Sequence, residues 1–174
     1  MSDAIIASAG LQSAIVTLCM ALLVAGSARD IAVRTIPDWT SLGLATIGVT
    51  LRLLEGTFII GAAAAVAVFA LAALCWRCGW LGGGDVKLLA ACSLLVPPIQ
   101  VPHLVLLTSL AGGAIACLYL VLGRLLPRRL TASPRPIALI RRIGRAERWR
   151  IGKRASLPYG CAISVATLAA LFGQ

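Results

Sequence analysis

The chain alternates long apolar runs with short polar breaks. The first run extends from about Ala4 to Ser27, the second from Trp39 to Leu54, the third from Thr57 to Trp76, the fifth from Val101 to Leu122 and the sixth from Leu157 to Phe172. A helix that crosses a bilayer needs about 20 apolar residues, within a range of roughly 17–25. The first, third and fifth runs qualify and the second is short. The fourth is ambiguous, because its purely apolar part is Leu88 to Val96, between Lys87 and Pro97-Pro98. At 1.5 Å per residue that part rises only about 14 Å. Arg29, Asp30, Arg34 and Asp38 are expected in a polar connector after the first run. Pro37 suits that connector or a first helical turn, since it lacks an N–H donor. Glu55-Gly56 reads as a tight turn, and the Gly61 to Ala65 stretch is rich in the small residues that let helices approach closely in lipid. The pattern predicts an all-α polytopic membrane helix bundle of about six transmembrane helices, forming one domain over residues 1–174.

Composition sharpens this. The chain is 60% hydrophobic, with a mean hydropathy of +0.96, which excludes an ordinary soluble domain. The N-terminus does not read as a secretory signal: it carries Asp3 and has no basic side chain before Arg29, where a signal peptide opens with a basic region. The first run is therefore expected to remain as a helix. Of the six cysteines, only Cys75 and Cys78 have a metal or redox spacing. A structural zinc site wants four ligands, and no second pair exists. The cysteines read as small hydrophobes, with no metal and no cofactor expected.

Charge sets the topology. Sixteen Lys and Arg against six Asp and Glu give a net charge of +10, and eleven of the basic residues lie between Arg124 and Arg154. This basic loop, residues 124–156, lies between apolar runs and suits anionic lipid headgroups. It lacks the run of stacking aromatics that a single-strand nucleic-acid platform needs, so no nucleic-acid partner is expected. Ile137, Ile140, Ile143 and Trp149 recur there at a spacing that fits a helix lying in the interface; a solvated loop fits equally well. Short cytoplasmic loops carry the excess of Lys and Arg. Six crossings with the N-terminus outside put Arg29, Arg34, Arg77, Lys87 and the basic loop in the cytoplasm, leaving Arg52 outside. A re-entrant fourth segment would put the basic loop outside. Six crossings are therefore expected, with the fourth starting near Leu81 and Lys87 snorkelling to the headgroups. Asp30 and Asp85 then share the cytoplasmic face.

The candidate chemistry lies in Gly82-Gly83-Gly84-Asp85-Val86-Lys87. A charged side chain at the bilayer centre costs roughly 2.5–3.5 kcal/mol on insertion scales, so an intramembrane acid has a functional reading by default. Two carboxylates held close cannot both ionise easily and share a proton. The ionised one can take a proton from an attacking water while the other donates to a peptide carbonyl or leaving amine. Elimination points the same way. His103 is expected at the opposite face, the serines lack a neighbouring base, and Gly82 to Lys87 lacks the ending of a Walker loop. Structural roles compete with this reading. Asp85 can cap a helix, Asp30 can be an interfacial charge beside Arg29 or Arg34, and Asp38 suits a cap or a supporting acid. Lys87 lies two positions from Asp85, so the two do not share a helix face, and a lipid-contacting lysine is its plain reading.

Three stretches together resemble a known family. Asp30 stands six residues before Ile36-Pro37-Asp38, the glycine triplet leads into Asp85-Val86-Lys87, and Leu157-Pro158-Tyr159-Gly160 opens the last helix. In this the chain resembles the type IV prepilin peptidases, membrane aspartyl proteases with a Gly-x-Gly-Asp signature. The resemblance implies that Asp30 and Asp85 are the catalytic pair, that Gly82 and Gly84 shape the substrate's approach, and that Lys87 lies near substrate. It also implies removal of a short basic leader from prepilin-like subunits at the cytoplasmic face of a bacterial inner membrane. Longer members carry an N-terminal extension with paired Cys-x-x-Cys motifs and also methylate the new N-terminus. Here 29 residues precede Asp30, so methyl transfer is not expected, and the chain resembles the short type that serves Flp (tight-adherence) pili. The alternative is a non-catalytic membrane subunit of a secretion or transport assembly, its acids binding a proton or a partner helix.

Overall fold

The computed structural model describes residues 2–33, 35–125 and 159–173. Each expected apolar run is a helix, and there is no strand among the described residues. Helix α1 spans Ser2–Val33, α2 Asp38–Leu54, α3 Phe58–Arg77, α4 Gly83–Leu95, α5 Val101–Leu125 and α6 Tyr159–Phe172; a short 3-10 turn, Pro98–Gln100, joins α4 to α5. The expectations for the basic loop, for an interfacial helix carrying Ile137, Ile140, Ile143 and Trp149, for Arg34 and for Leu157-Pro158 lie outside the described residues, except Arg124 at the end of α5.

The connector after the first run is shorter than the sequence suggested. Arg29 and Asp30 belong to the last turns of α1, and Asp38 is the first residue of α2. Nothing between Ser27 and Val33 breaks a helix. The break is set by Pro37, which disfavours helical geometry in the residue before it and sits extended at the start of α2, with φ −66° and ψ 138°. Asp30 therefore stands on a helical turn rather than in a loop.

Helices α2 and α3 form a hairpin through Glu55-Gly56. Gly56 takes a left-handed φ of 69°, a conformation that costs glycine little. At this end Arg52 is buried, pairs with Glu55 at 2.7 Å, and lies against Gly61 of α3, where a Cβ would come within 3.0 Å of the arginine stem.

Helix α4 is the centre of the bundle. It packs on α2, α3 and α6; α5 packs on α6, and α1 on both α6 and α2. Val86, Leu88, Leu89, Ala91, Cys92, Ser93 and Leu95 are all buried, so α4 has no polar stripe and reads apolar around its circumference. At Gly48 a Cβ would lie 2.5 Å from Leu94 Cβ and 2.9 Å from its carbonyl carbon, so α2 and α4 meet backbone to backbone.

Three segments are long and apolar enough to cross a membrane, Ala14–Val33, Phe58–Arg77 and Pro98–Leu122, and α6 is a shorter apolar helix. Large apolar side chains such as Ile59, Ile60, Val66 and Leu71 face outward from α3, as they do where lipid is the solvent. The protein is an all-α membrane helix bundle. Helix α4 begins at Gly83, later than the expected Leu81. Its 13 residues rise about 20 Å, short of the roughly 30 Å hydrocarbon core, so it is not a full span by itself.

Candidate active site

Asp30 sits near the end of α1 and is only 6% exposed. Its Oδ2 accepts a hydrogen bond from the backbone N–H of Gly160 at 3.0 Å, in the first turn of α6. One turn deeper, Ser27 Oγ donates to Ser164 Oγ at 2.8 Å, and the Ser164 hydroxyl donates to the Gly160 carbonyl at 2.9 Å. Helices α1 and α6 are thus stitched at two levels, the upper one through the carboxylate. A Cβ on Gly160 would lie 2.9 Å from Asp30 Oδ2 and 3.0 Å from Ile36 Cδ1. Glycine is what lets α6 come this near.

Asp85 is the third residue of α4 and is 8% exposed. The N–H of Gly82 donates to its Oδ2 at 3.2 Å. Asp85 is therefore not the N-cap of α4, which is Gly82; it stands at N3 as the carboxylate half of a capping box. A Cβ on Gly82 would lie 2.8 Å from that oxygen, and one on Gly84 would lie 3.1 Å from Ile36 Cβ. Gly82 lets the carboxylate fold back, and Gly84 lets Ile36 lie across the first turn of α4. Ile36 touches both glycine-faced helix starts and is wedged between them.

Both acids line one cavity of about 260 Å³, together with Ile36, Asp38, Lys87 and the glycine triplet. A water molecule occupies about 30 Å³ in the liquid, so the cavity has room for an attacking water beside a polar chain. At its edge Lys87 Nζ meets Asp38 Oδ1 at 2.8 Å, with side chains 53% and 78% exposed. Exposed pairs of this kind contribute about 0–1 kcal/mol. Asp38 does not cap α2, whose N-cap is Pro37 with no side-chain cap bond; it is the partner of Lys87.

The other sequence candidates lie elsewhere. His103 is exposed in the first turn of α5, beyond the end of α4 opposite Asp85. Cys75 and Cys78 flank the end of α3 as free thiols. Among the described residues no three His, Cys, Asp or Glu gather as a metal ion would require. Ser27 and Ser164 were not singled out from sequence, and Ile36 and Gly160 appeared only within motifs, without a role. No local signal marks the serine pair, since its members are 137 positions apart.

Two buried carboxylates on different helices, opening on one cavity with room for a water and a peptide, suit acid–base hydrolysis. Residues 17–117 match the type IV leader peptidase family. The chain belongs to this family. The matched stretch is more than half of the leader peptidase chain and includes Asp30 and Asp85. It runs from α1 into α5 and stops short of α6, so Gly160 and Ser164, which hold Asp30, stand outside it. No curated protein and no solved structure matches the chain. Family and helices together make this a membrane peptidase of the leader-peptidase kind.

Proposed function

We propose that this leader peptidase is an aspartyl endopeptidase with Asp30 and Asp85 as its catalytic pair. The observation that carries the reading is that both carboxylates are buried and line the same cavity. In the proposed reaction one carboxylate is ionised and the other protonated. The ionised group takes a proton from water as the water oxygen bonds to the scissile carbonyl carbon. The protonated group donates to the carbonyl oxygen, and collapse of the tetrahedral species breaks the C–N bond, with a proton going to the leaving amine. Water supplies the new carboxylate and no side chain is acylated. Gly82 and Gly84 keep the approach to Asp85 open, and Lys87 is placed to touch the passing chain.

The proposed substrates are prepilin-like subunits with a short basic leader. The cavity carries Asp30, Asp38 and Asp85 against Lys87, a balance that favours a cationic segment. The proposed location is a bacterial inner membrane, crossed several times, with the cavity at the cytoplasmic face. Arg29, Arg77 and Lys87 support this side, because they lie at the helix ends that surround the acids while Arg52 lies at the far hairpin. The basic loop faces anionic lipid in this reading, the chain is one peptidase domain over residues 1–174, and the reaction is cleavage without methyl transfer, as in the short Flp type.

The test is co-expression of a leader-bearing pilin subunit with the wild-type protein, Asp30→Asn or Asp85→Asn. N-terminal sequencing should find the leader removed by wild type and retained with either variant. Leader removal that persists with both variants rejects the aspartyl assignment and favours a non-catalytic role for the acids.

A further inference from the structure

We infer that the groove between α2 and α3, floored by α4, seats an apolar helical segment of the substrate on one side of the bond that is cut. The inference rests on the aspartyl endopeptidase reading and says how the substrate is held.

Helices α2 and α3 each pack on α4 far more than on one another. They are joined at the hairpin, where Arg52 lies on Gly61. Toward the acids they leave a groove of about 660 Å³, with Ala90, Ala91 and Leu94 of α4 as floor and Ala45, Ala65 and Phe69 among its walls. The groove ends at Asp38 and Lys87, and these two residues also line the acid cavity. The two hollows therefore meet at the ion pair. A chain whose peptide bond is held at the acids can continue over Asp38 and Lys87 into a channel that is apolar from there on.

The chemistry of the channel selects its occupant. A peptide entering it leaves water, so its backbone N–H and C=O groups must be paired within the segment, which requires a helix. The alanine floor lets a second helix approach closely, and close packing is what holds helices together in lipid. The ion pair at the mouth is shared with the acid cavity, a continuity that a bound lipid would not use. The pair marks where a peptide changes from polar and extended to apolar and helical. Lipid fills the groove when no substrate is present and is displaced on binding.

The experiment uses two synthetic peptides in phospholipid vesicles with the full-length protein. Both carry a basic leader and junction that wild type cleaves. The long one continues into about 20 apolar residues, and the short one stops after the junction. The readout is the ratio of kcat/KM for the long peptide to that for the short. Ala45→Phe and Ala90→Leu fill the groove and should lower this ratio about tenfold, mainly through KM for the long peptide. Phe69→Ala removes a wall without adding bulk and should lower it about threefold. Ala63→Leu, on the exposed outer side of α3, should leave the ratio unchanged. A photo-crosslinker at position 69 should capture the long peptide. An unchanged ratio in all three groove variants, or capture of phospholipid alone with the long peptide present, overturns the groove assignment. Failure of the underlying reading has a different signature, turnover retained in both Asp30→Asn and Asp85→Asn.

Discussion

Replacing Gly160 by alanine probes how Asp30 is held. In an ordinary helix the change would be favourable by about 1 kcal/mol, since glycine is the poorer helix former. Here the added Cβ would stand 2.9 Å from Asp30 Oδ2 and 3.0 Å from Ile36 Cδ1. Ordinary contacts begin near 3.4 Å, so either the Asp30 carboxylate or the start of α6 must shift by about half an ångström. The 3.0 Å bond from the Gly160 N–H to Asp30 would then stretch to about 3.5 Å, beyond the normal range for N–H···O. Hydrogen bonds to charged groups contribute about 1.5–3 kcal/mol. If the misplaced carboxylate lost that much in the transition state, kcat would fall roughly 10- to 150-fold. The Ser27–Ser164 contact one turn deeper keeps α6 docked, so the fold should survive. The assay is leader cleavage by purified protein, with kcat and KM measured separately and helix content followed by circular dichroism. Gly160→Ala should lose at least tenfold in kcat, with KM and helix content near wild type. Ser164→Ala loosens the lower tie without a clash and should lose less. A folded Gly160→Ala protein with kcat within twofold of wild type would refute the positioning argument.

Other predictions follow from contacts of the same kind. Gly48→Val forces a side chain into Leu94, whose Cβ and carbonyl carbon would lie 2.5 and 2.9 Å from the new Cβ. Overpacking of this sort costs about 1–3 kcal/mol, which should appear as a lower midpoint of thermal unfolding in detergent. Gly84→Ala presses on Ile36 Cβ at 3.1 Å, an atom fixed to the backbone, so the Ile36 segment must give by a few tenths of an ångström. Activity should fall severalfold with stability unchanged, and a wild-type rate would show that Ile36 need not be wedged there. Lys87→Ala should cost under about 1 kcal/mol of stability, because its pair with Asp38 is exposed, yet raise KM. An unchanged KM would remove Lys87 from the substrate path.

Helix positions were legible in the sequence because apolar length is a strong signal, and the matching helices lie within a few residues of the runs. The end of α1 was misplaced for a physical reason. Arg29 and Asp30 look like connector residues by polarity, but no helix breaker precedes Pro37, and Asp30 is satisfied by Gly160 instead of water. Helix α4 was ambiguous because it is mostly buried and the face left open past Lys87 carries Ala90 and Leu94, so no polar stripe gave its ends. Asp30 and Asp85 were legible as candidates because acids in apolar surroundings stand out. The residues that hold them were not. Ser27–Ser164, Asp30–Gly160 and Asp38–Lys87 join positions far apart in sequence, and contacts of that kind exist only once the helices are packed. The glycines at 82, 84 and 160 were noticed as motif members, but the specific atoms each one makes room for could only come from the structure.

The most direct test of the central claim is a double-variant cycle on leader cleavage. Initial rates would be compared for wild type, Asp30→Asn, Asp85→Asn and the double variant, each verified as folded. If the two acids act as one proton-sharing unit, each single change should lower kcat by roughly 10²–10⁴-fold, and the double variant should be little worse than either single one. Near-wild-type turnover in either single variant, or losses that multiply in the double, would contradict a shared site.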